Sequence, residues 1–211
     1  MSDIQDDEIR EKSRERKKQV LEAAAKCFRE EGFHGCSISR ISKVAGMSPG
    51  HIYYHFANKE AIIEALIAQQ ENSLIEMVND IAASPPDETL AVTLTRHTAK
   101  MVERHASPEF VGLWLEIAAE AARNPNVAQL LQQSNKTIQE KFDELLFTRS
   151  KVTNAETLQR LHAGMEIISA IFGGLSQHAA TRAVESRVDN QLLVATINSI
   201  ITHLFTSEGT A

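Results

Sequence analysis

Ser37-Ile38-Ser39-Arg40-Ile41-Ser42-Lys43-Val44-Ala45-Gly46-Met47-Ser48-Pro49-Gly50-His51-Ile52-Tyr53-Tyr54 is the stretch that decides the reading of this chain. Ser37 is an N-cap residue type placed before a short apolar-periodic run, Ile38, Ile41, Val44 and Ala45. Gly46 permits a sharp turn. Ser48 then caps a second short helix, with Pro49 at the first helical position, where its missing donor costs nothing. That helix is expected to end around Tyr54. Two short helices joined by Ala45-Gly46-Met47-Ser48 match a helix-turn-helix, in which the second helix enters a major groove and the first braces it across the backbone.

Outward from this core the sequence reads as helix throughout. A first helix is expected from about Glu11 to Glu31, with Val20, Leu21, Ala24, Cys27 and Phe28 on one stripe. Gly32 supplies its C-terminal stop, and Phe33 stands where a Schellman motif wants its hydrophobic contact. Asn58 caps a fourth helix, read from Lys59 to about Ala82 and ended by Ser84-Pro85-Pro86. At 1.5 Å per residue it is roughly 36 Å long, enough to connect two domains. A fifth helix carries Leu90, Leu94, His97, Met101 and His105 in register. Ser107-Pro108 opens a sixth, apolar on most sides, and Asn124-Pro125 breaks the chain before a seventh. Thr153 and Glu156 form a capping box for the eighth, and Asp189 caps the ninth. No period-2 alternation and no hairpin signal occurs. The expectation is an all-α chain of nine helices: a three-helix DNA-reading domain over residues 1–58, and a larger helical body over 59–211.

Charge distribution points the same way. The chain has 211 residues and a formal charge of −6. Residues 9–59 nevertheless hold 11 Lys and Arg against 5 Asp and Glu, whereas residues 60–211 hold 11 against 19. A basic segment on an acidic body suits a protein that presents one end to phosphates. The run Arg10, Lys12, Arg14, Arg16, Lys17 and Lys18 is either an arm along a groove or an extra exposed turn of the first helix. Glu11 and Glu15, at helical spacing, favour the helix.

Other classes fit less well. The 8 histidines include no His-x-x-x-His with a glutamate partner, and no Cys-x-x-Cys or Gly-rich phosphate loop is present. Neither an enzyme nor a metal or cofactor is expected. Glu116 and Glu120 read as a solvated helix face rather than a catalytic pair. Cys27 on the buried stripe and Cys36 in a turn read as two unrelated thiols, with a thiol-redox-responsive regulator as the alternative. A non-DNA helical adaptor is the other rival. The charged first twenty residues lack a signal-peptide core, no apolar run reaches the roughly 18–20 residues of a membrane span, and two cysteines suit a reducing compartment. A cytoplasmic protein without a membrane partner is expected.

Pro49, Gly50 and His51 lie at the N-terminal end of the second short helix, where base edges come within reach. Ser37, Ser48, Tyr53, Tyr54 and Lys59 carry groups suited to phosphate oxygens, with burial of one tyrosine ring as the competing role. The stretch Val20-Leu21-Glu22-Ala23-Ala24 … Phe28 … Gly32-Phe33, then Ser37-Ile38 … Ala45-Gly46-Met47-Ser48, then Ile52-Tyr53-Tyr54-His55-Phe56-Ala57-Asn58-Lys59-Glu60 resembles the N-terminal domain of the tetracycline-repressor (TetR) family. That resemblance covers roughly residues 16–66. It implies base contacts at Ser39, Pro49, Gly50 and His51, and phosphate contacts at Ser37, Ser48, Tyr53, Tyr54 and Lys59. Gly50 brings no side chain, which leaves more of the readout to His51.

The resemblance further implies a homodimer on a palindromic operator, and a repressor released by a small-molecule effector through a population shift, with the fourth helix as lever. Helices four to seven would enclose the effector, for which His97, Met101, Phe110, Trp114, Phe142 and Phe172 are the candidates. Helices eight and nine would pair between subunits, through Ile168, Phe172, Gly173, Leu193, Ile197 and Ile201.

Overall fold

The computed structural model describes residues 2–150, 155–183, 185 and 187–206. Among the described residues the chain forms nine α-helices and no strand. They are α1 (Ser2–Gly35), α2 (Ile38–Ala45), α3 (Pro49–His55), α4 (Lys59–Ala82), α5 (Leu90–Ala106), α6 (Pro108–Ala121), α7 (Pro125–Ser150), α8 (Ala155–Thr181) and α9 (Asn190–Thr206). Capping chemistry sets most of the starts. Side-chain oxygens of Ser37, Ser48, Asn58, Thr89, Ser107, Asn124 and Asp189 each accept a backbone N–H two or three residues on, satisfying donors that a helix leaves orphaned. Thr153, the expected cap of α8, lies outside the described residues.

Packing gathers the helices into two compact units. One comprises Met1–Gln70 and Gly112–Gln133, the other Glu71–Val111 and Ser134–Ala211. The expected boundary after residue 58 therefore falls inside the first unit. The reason is that Leu113 and Ile117 of α6 and Val127 of α7 share a core with Val20, Phe28, Ile41, Ile52, Ile63 and Leu66. In the second unit α5 packs against α8 and α9. Its core includes Val102, Leu146, Leu161, Ile168, Phe172, Ile197, Ile201 and Phe205. Gly164 lets the Phe205 ring approach closely there, since an added Cβ would stand 3.1 Å from Phe205 Cζ and the ring would have to shift. Arg149 closes the loop after α4, its guanidinium donating to the carbonyls of Ser84 (2.7 Å), Pro85 and Glu88.

Two features of the first unit depart from expectation. Helix α1 begins at Ser2 rather than near Glu11. Residues 7–18 of this helix are exposed and bury no apolar stripe, so periodicity could not reveal them. Gly32 does interrupt α1, with φ 72 and ψ 162, an extended mirror-image conformation and not the left-handed cap of a Schellman motif. That region of φ/ψ space is essentially restricted to glycine. Phe33 follows it into the core.

The thiols also correct the reading. Cys36 does lie in the connection between α1 and α2, but it is fully buried, and Cys27 is its neighbour rather than an unrelated thiol. Burial above all, and then the Cys27 thiol, push Cys36 up to about 12. A thiol so far from ionisation is a poor nucleophile, which weighs against the redox-responsive alternative.

Gly32→Ala places an L residue in a glycine-only conformation, with its Cβ 3.4 Å from Glu116 Oε1. Urea denaturation is expected to show a loss of roughly 1–3 kcal/mol, and an unchanged midpoint would refute the strained turn. An unfolded thiol ionises near 9.0, while Cys36 keeps its proton to about 12. Its contribution to stability is thus complete below pH 9.0 and declines as pH rises from there toward about 12. Denaturation midpoints should therefore fall less steeply above pH 9.0 in Cys36→Ala than in the parent, and equal slopes would remove Cys36 from the account.

Candidate nucleic-acid interface

The helix-turn-helix is held from below by apolar side chains and at its corner by hydrogen bonds. Ile41 and Ala45 of α2 and Ile52 of α3 are buried, as is Phe56 just beyond α3. Gly46 adopts φ 64, ψ 32, the left-handed conformation a sharp helix exit requires. Its N–H donates to Lys43 O, Met47 N–H donates to Ser42 O at 3.1 Å, and the Ser42 hydroxyl returns to Met47 O. Gln19 of α1 donates to Ala45 O at 2.7 Å, fastening α1 to the end of α2. Sequence reading missed Gln19; its only signal was a long polar side chain at the edge of the α1 stripe.

With the inner face so fixed, the outer face presents most of the expected residues. Ser37, Ser39, Ser48, Pro49, Gly50 and His51 are exposed. Tyr53 is 55% and Tyr54 80% exposed, so neither ring is core. The Ser48 oxygen caps α3 by accepting His51 N–H at 3.3 Å, and it lies 3.2 Å from His51 Nδ1, which orients that imidazole. Partial burial, and then neighbouring Lys17, hold His55 below the usual histidine range.

Lys59 differs from the others. Its ammonium donates to Phe33 O at 2.5 Å and to Cys36 O at 3.1 Å, and sits 4.2 Å from the centre of the Phe33 ring. It is engaged with the carbonyl end of α1 inside the protein. The two α6 carboxylates are also structural, which corrects the expectation of a solvated face. Glu116 Oε1 accepts Phe33 N–H at 2.6 Å. Glu120 is only 1% exposed; Asn124 donates to it at 3.0 Å, and His34 Nε2 and Arg123 approach it at 2.9 and 3.7 Å.

The remaining candidates divide between the units. Trp114 belongs to the first, whereas His97, Met101, Phe110, Phe142 and Phe172 belong to the second. There Phe110 and Phe172 both meet His105, with ring centres 4.8 and 5.2 Å away. His105 Nδ1–H donates to Met101 O at 2.9 Å. Burial keeps this imidazole below its ordinary pKa. The sequence placed His105 on the same stripe as His97 and Met101 but gave no reason to single it out.

Four of the six residues expected at a subunit interface are taken up by the chain itself. Ile168, Phe172, Ile197 and Ile201 are buried in the second core, leaving Gly173 exposed and Leu193 half-buried. Periodicity identifies an apolar stripe but not whether one chain or two will cover it. The stripe turned outward carries Ile167 (48% exposed), Ala170 and Gly173 on α8, and Leu192 (59%) on α9.

Known proteins match this architecture. The family model for bacterial regulatory proteins of the tetR family matches residues 20–66. The HTH-type transcriptional regulator UidR of Escherichia coli K12 is 36% identical over 122 residues, 57% of this chain and 59% of that protein. The chain thus spans about six tenths of the length of this curated relative. The fatty acid metabolism regulator protein of Bacillus subtilis is 28% identical over 87% of this chain and 90% of its own. The solved structure of GusR from Salmonella enterica superposes with a TM-score of 0.64 at 26% identity, covering 90% of this chain and 95% of that one. In its helix-turn-helix and its fold the chain is thus similar to the bacterial regulatory proteins of the tetR family, whose family model matches residues 20–66.

Proposed function

We propose that the protein is a sequence-specific DNA-binding transcriptional regulator, a repressor released from a palindromic operator when a small molecule binds its second unit. One observation carries the DNA reading. Helix α3 buries a single residue, Ile52, and turns Tyr53, Tyr54 and His51 to solvent. Large aromatic side chains left open beside cap hydroxyls and helix N–H groups form a surface suited to phosphates and base edges. In this reading Ser39, Pro49, Gly50 and His51 face the bases, and Ser37, Ser48, Tyr53 and Tyr54 hold the backbone. Lys59 contributes chiefly by fixing the end of α1.

A helix of seven residues reads too few base pairs for a unique site, so two copies related by a two-fold axis are needed. The outward stripe of Ile167, Ala170, Gly173 and Leu192 supports pairing through α8 and α9, its small residues allowing close backbone approach. The aromatic group around His105 supports an effector site within the second unit, with Phe110, Phe172 and Met101 as its walls. Release then requires the effector to bind the operator-incompetent form more tightly, by about 1–3 kcal/mol in typical cases.

Selection from random duplexes with the purified protein supplies the operator and tests the reading directly. Recovery of no sequence preference at moderate salt would overturn it. On the selected duplex, His51→Ala should cost roughly 1–3 kcal/mol and relax preference at one or two positions. Tyr54→Phe should weaken selected and scrambled duplexes alike by a few-fold, about the value of one hydrogen bond. Ile167→Glu should shift sedimentation from dimer to monomer and abolish operator binding; a variant that stays dimeric would move the interface elsewhere.

A further inference from the structure

Helix α1 carries a charged extension that the packing of the chain does not explain. Residues 7–18 are all exposed, and burial begins only with Gln19 and Val20. Six of the nine residues from Arg10 to Lys18 are basic. Among the described residues Arg10 and Lys12 make no ion pair, and Arg14 pairs only with Glu11 of its own helix, at 3.5 Å.

Helical spacing sorts these charges into stripes. At about 100° per residue, Arg10, Arg14 and Lys17 fall in one sector roughly 60° wide, and Glu8, Glu11, Glu15 and Glu22 in a separate one. Lys17 fixes where the basic sector points, because its ammonium lies 5.4 Å from the centre of the Phe56 ring, directly after α3. Arg10 and Arg14 continue that line away from the helix-turn-helix. Arg10 with Arg14, Arg14 with Lys18 and Lys12 with Arg16 are like charges four residues apart, an arrangement that destabilises a free helix. An anionic partner reverses the sign of that term.

Resting on the DNA-binding reading above, we propose that the Arg10–Arg14–Lys17 stripe of α1 is a second phosphate-binding surface, gripping the duplex outside the base pairs read by α3. The partner is DNA backbone rather than a bilayer or an apolar groove. Between residues 7 and 18 Ile9 is the one apolar residue, too little for membrane insertion or hydrophobic docking. A rigid helix also differs from a flexible arm. It places its charges at fixed distances from α3, so contact falls on a defined flank of the site.

The test uses the full chain and two duplexes carrying the selected sequence, one minimal and one extended by about ten base pairs on each side. Affinities are measured across a salt series by anisotropy. The parent should bind the extended duplex about tenfold more tightly than the minimal one near 0.15 M salt. Arg10→Gln/Arg14→Gln should lose that preference and keep the parent's affinity for the minimal duplex. Its slope of log K against log salt on the extended duplex should be shallower by about 2 per chain. Lys136→Gln/Lys141→Gln, which removes two exposed charges from α7, controls for net charge and should behave like the parent. If the arginine variant matches the parent on both duplexes, or the α7 variant loses as much, the stripe is not a phosphate surface, while operator reading by α3 stands. If the parent selects no sequence at all, the DNA reading and this inference both fail.

Discussion

The end of α1 is where the first unit is fastened. Gly32 turns the chain out of the helix through a conformation that other residues avoid, and the peptide groups this exposes must be satisfied. Glu116 of α6 accepts the N–H of Phe33, while Lys59 of α4 donates to the carbonyls of Phe33 and Cys36. One turn thereby ties three helices through charged groups held at part-buried positions, where hydrogen bonds to ions are stronger than neutral ones. Phe33 itself plugs the core beneath. Loss of any one group would leave a polar partner without its mate, a larger penalty than the bond is worth when made.

That arrangement explains why the division in space is not the division in sequence. Reading along the chain suggests a boundary where the helix-turn-helix stops and a long helix begins. The carboxylates Glu116 and Glu120 of α6, with Leu113 and Ile117 of the same helix, instead bring a later helix into the first unit. The buried Glu120 with its His34, Arg123 and Asn124 neighbours belongs to the same join. A glutamate on an apolar helix reads as a solvated position in sequence, and only a partner 83 residues away for Glu116 shows otherwise.

Local chemistry was legible; long-range pairing was not. Caps at Ser37, Ser48, Asn58 and Asp189, the turn at Gly46 and the proline breaks all act within a few residues, and each stands where the sequence put it. For α3 the sequence left open whether one tyrosine ring is buried, and both rings prove exposed. What failed needed knowledge of which surface covers which. Ile168, Phe172, Ile197 and Ile201 form a stripe that suits a partner subunit as well as the chain's own core, and α5 claimed it. Cys36 is a turn residue, as the sequence suggests, but its burial was not legible, because nothing local announces that Cys27 and Lys59 lie beside it. Residues 7–18 of α1 were invisible for the opposite reason, having no buried face to betray them.

Helix α3 rests on one anchor. Ile52 alone is buried, His55 is half-buried, and the other five residues are exposed. Replacing those side chains would leave folding nearly untouched while rewriting what the helix can recognise. A lineage carrying this scaffold can therefore drift from one target to another by small steps, none of which passes through an unfolded intermediate. Regulators built this way can multiply by duplication and diverge quickly, because the part that chooses and the part that holds together are mutated independently.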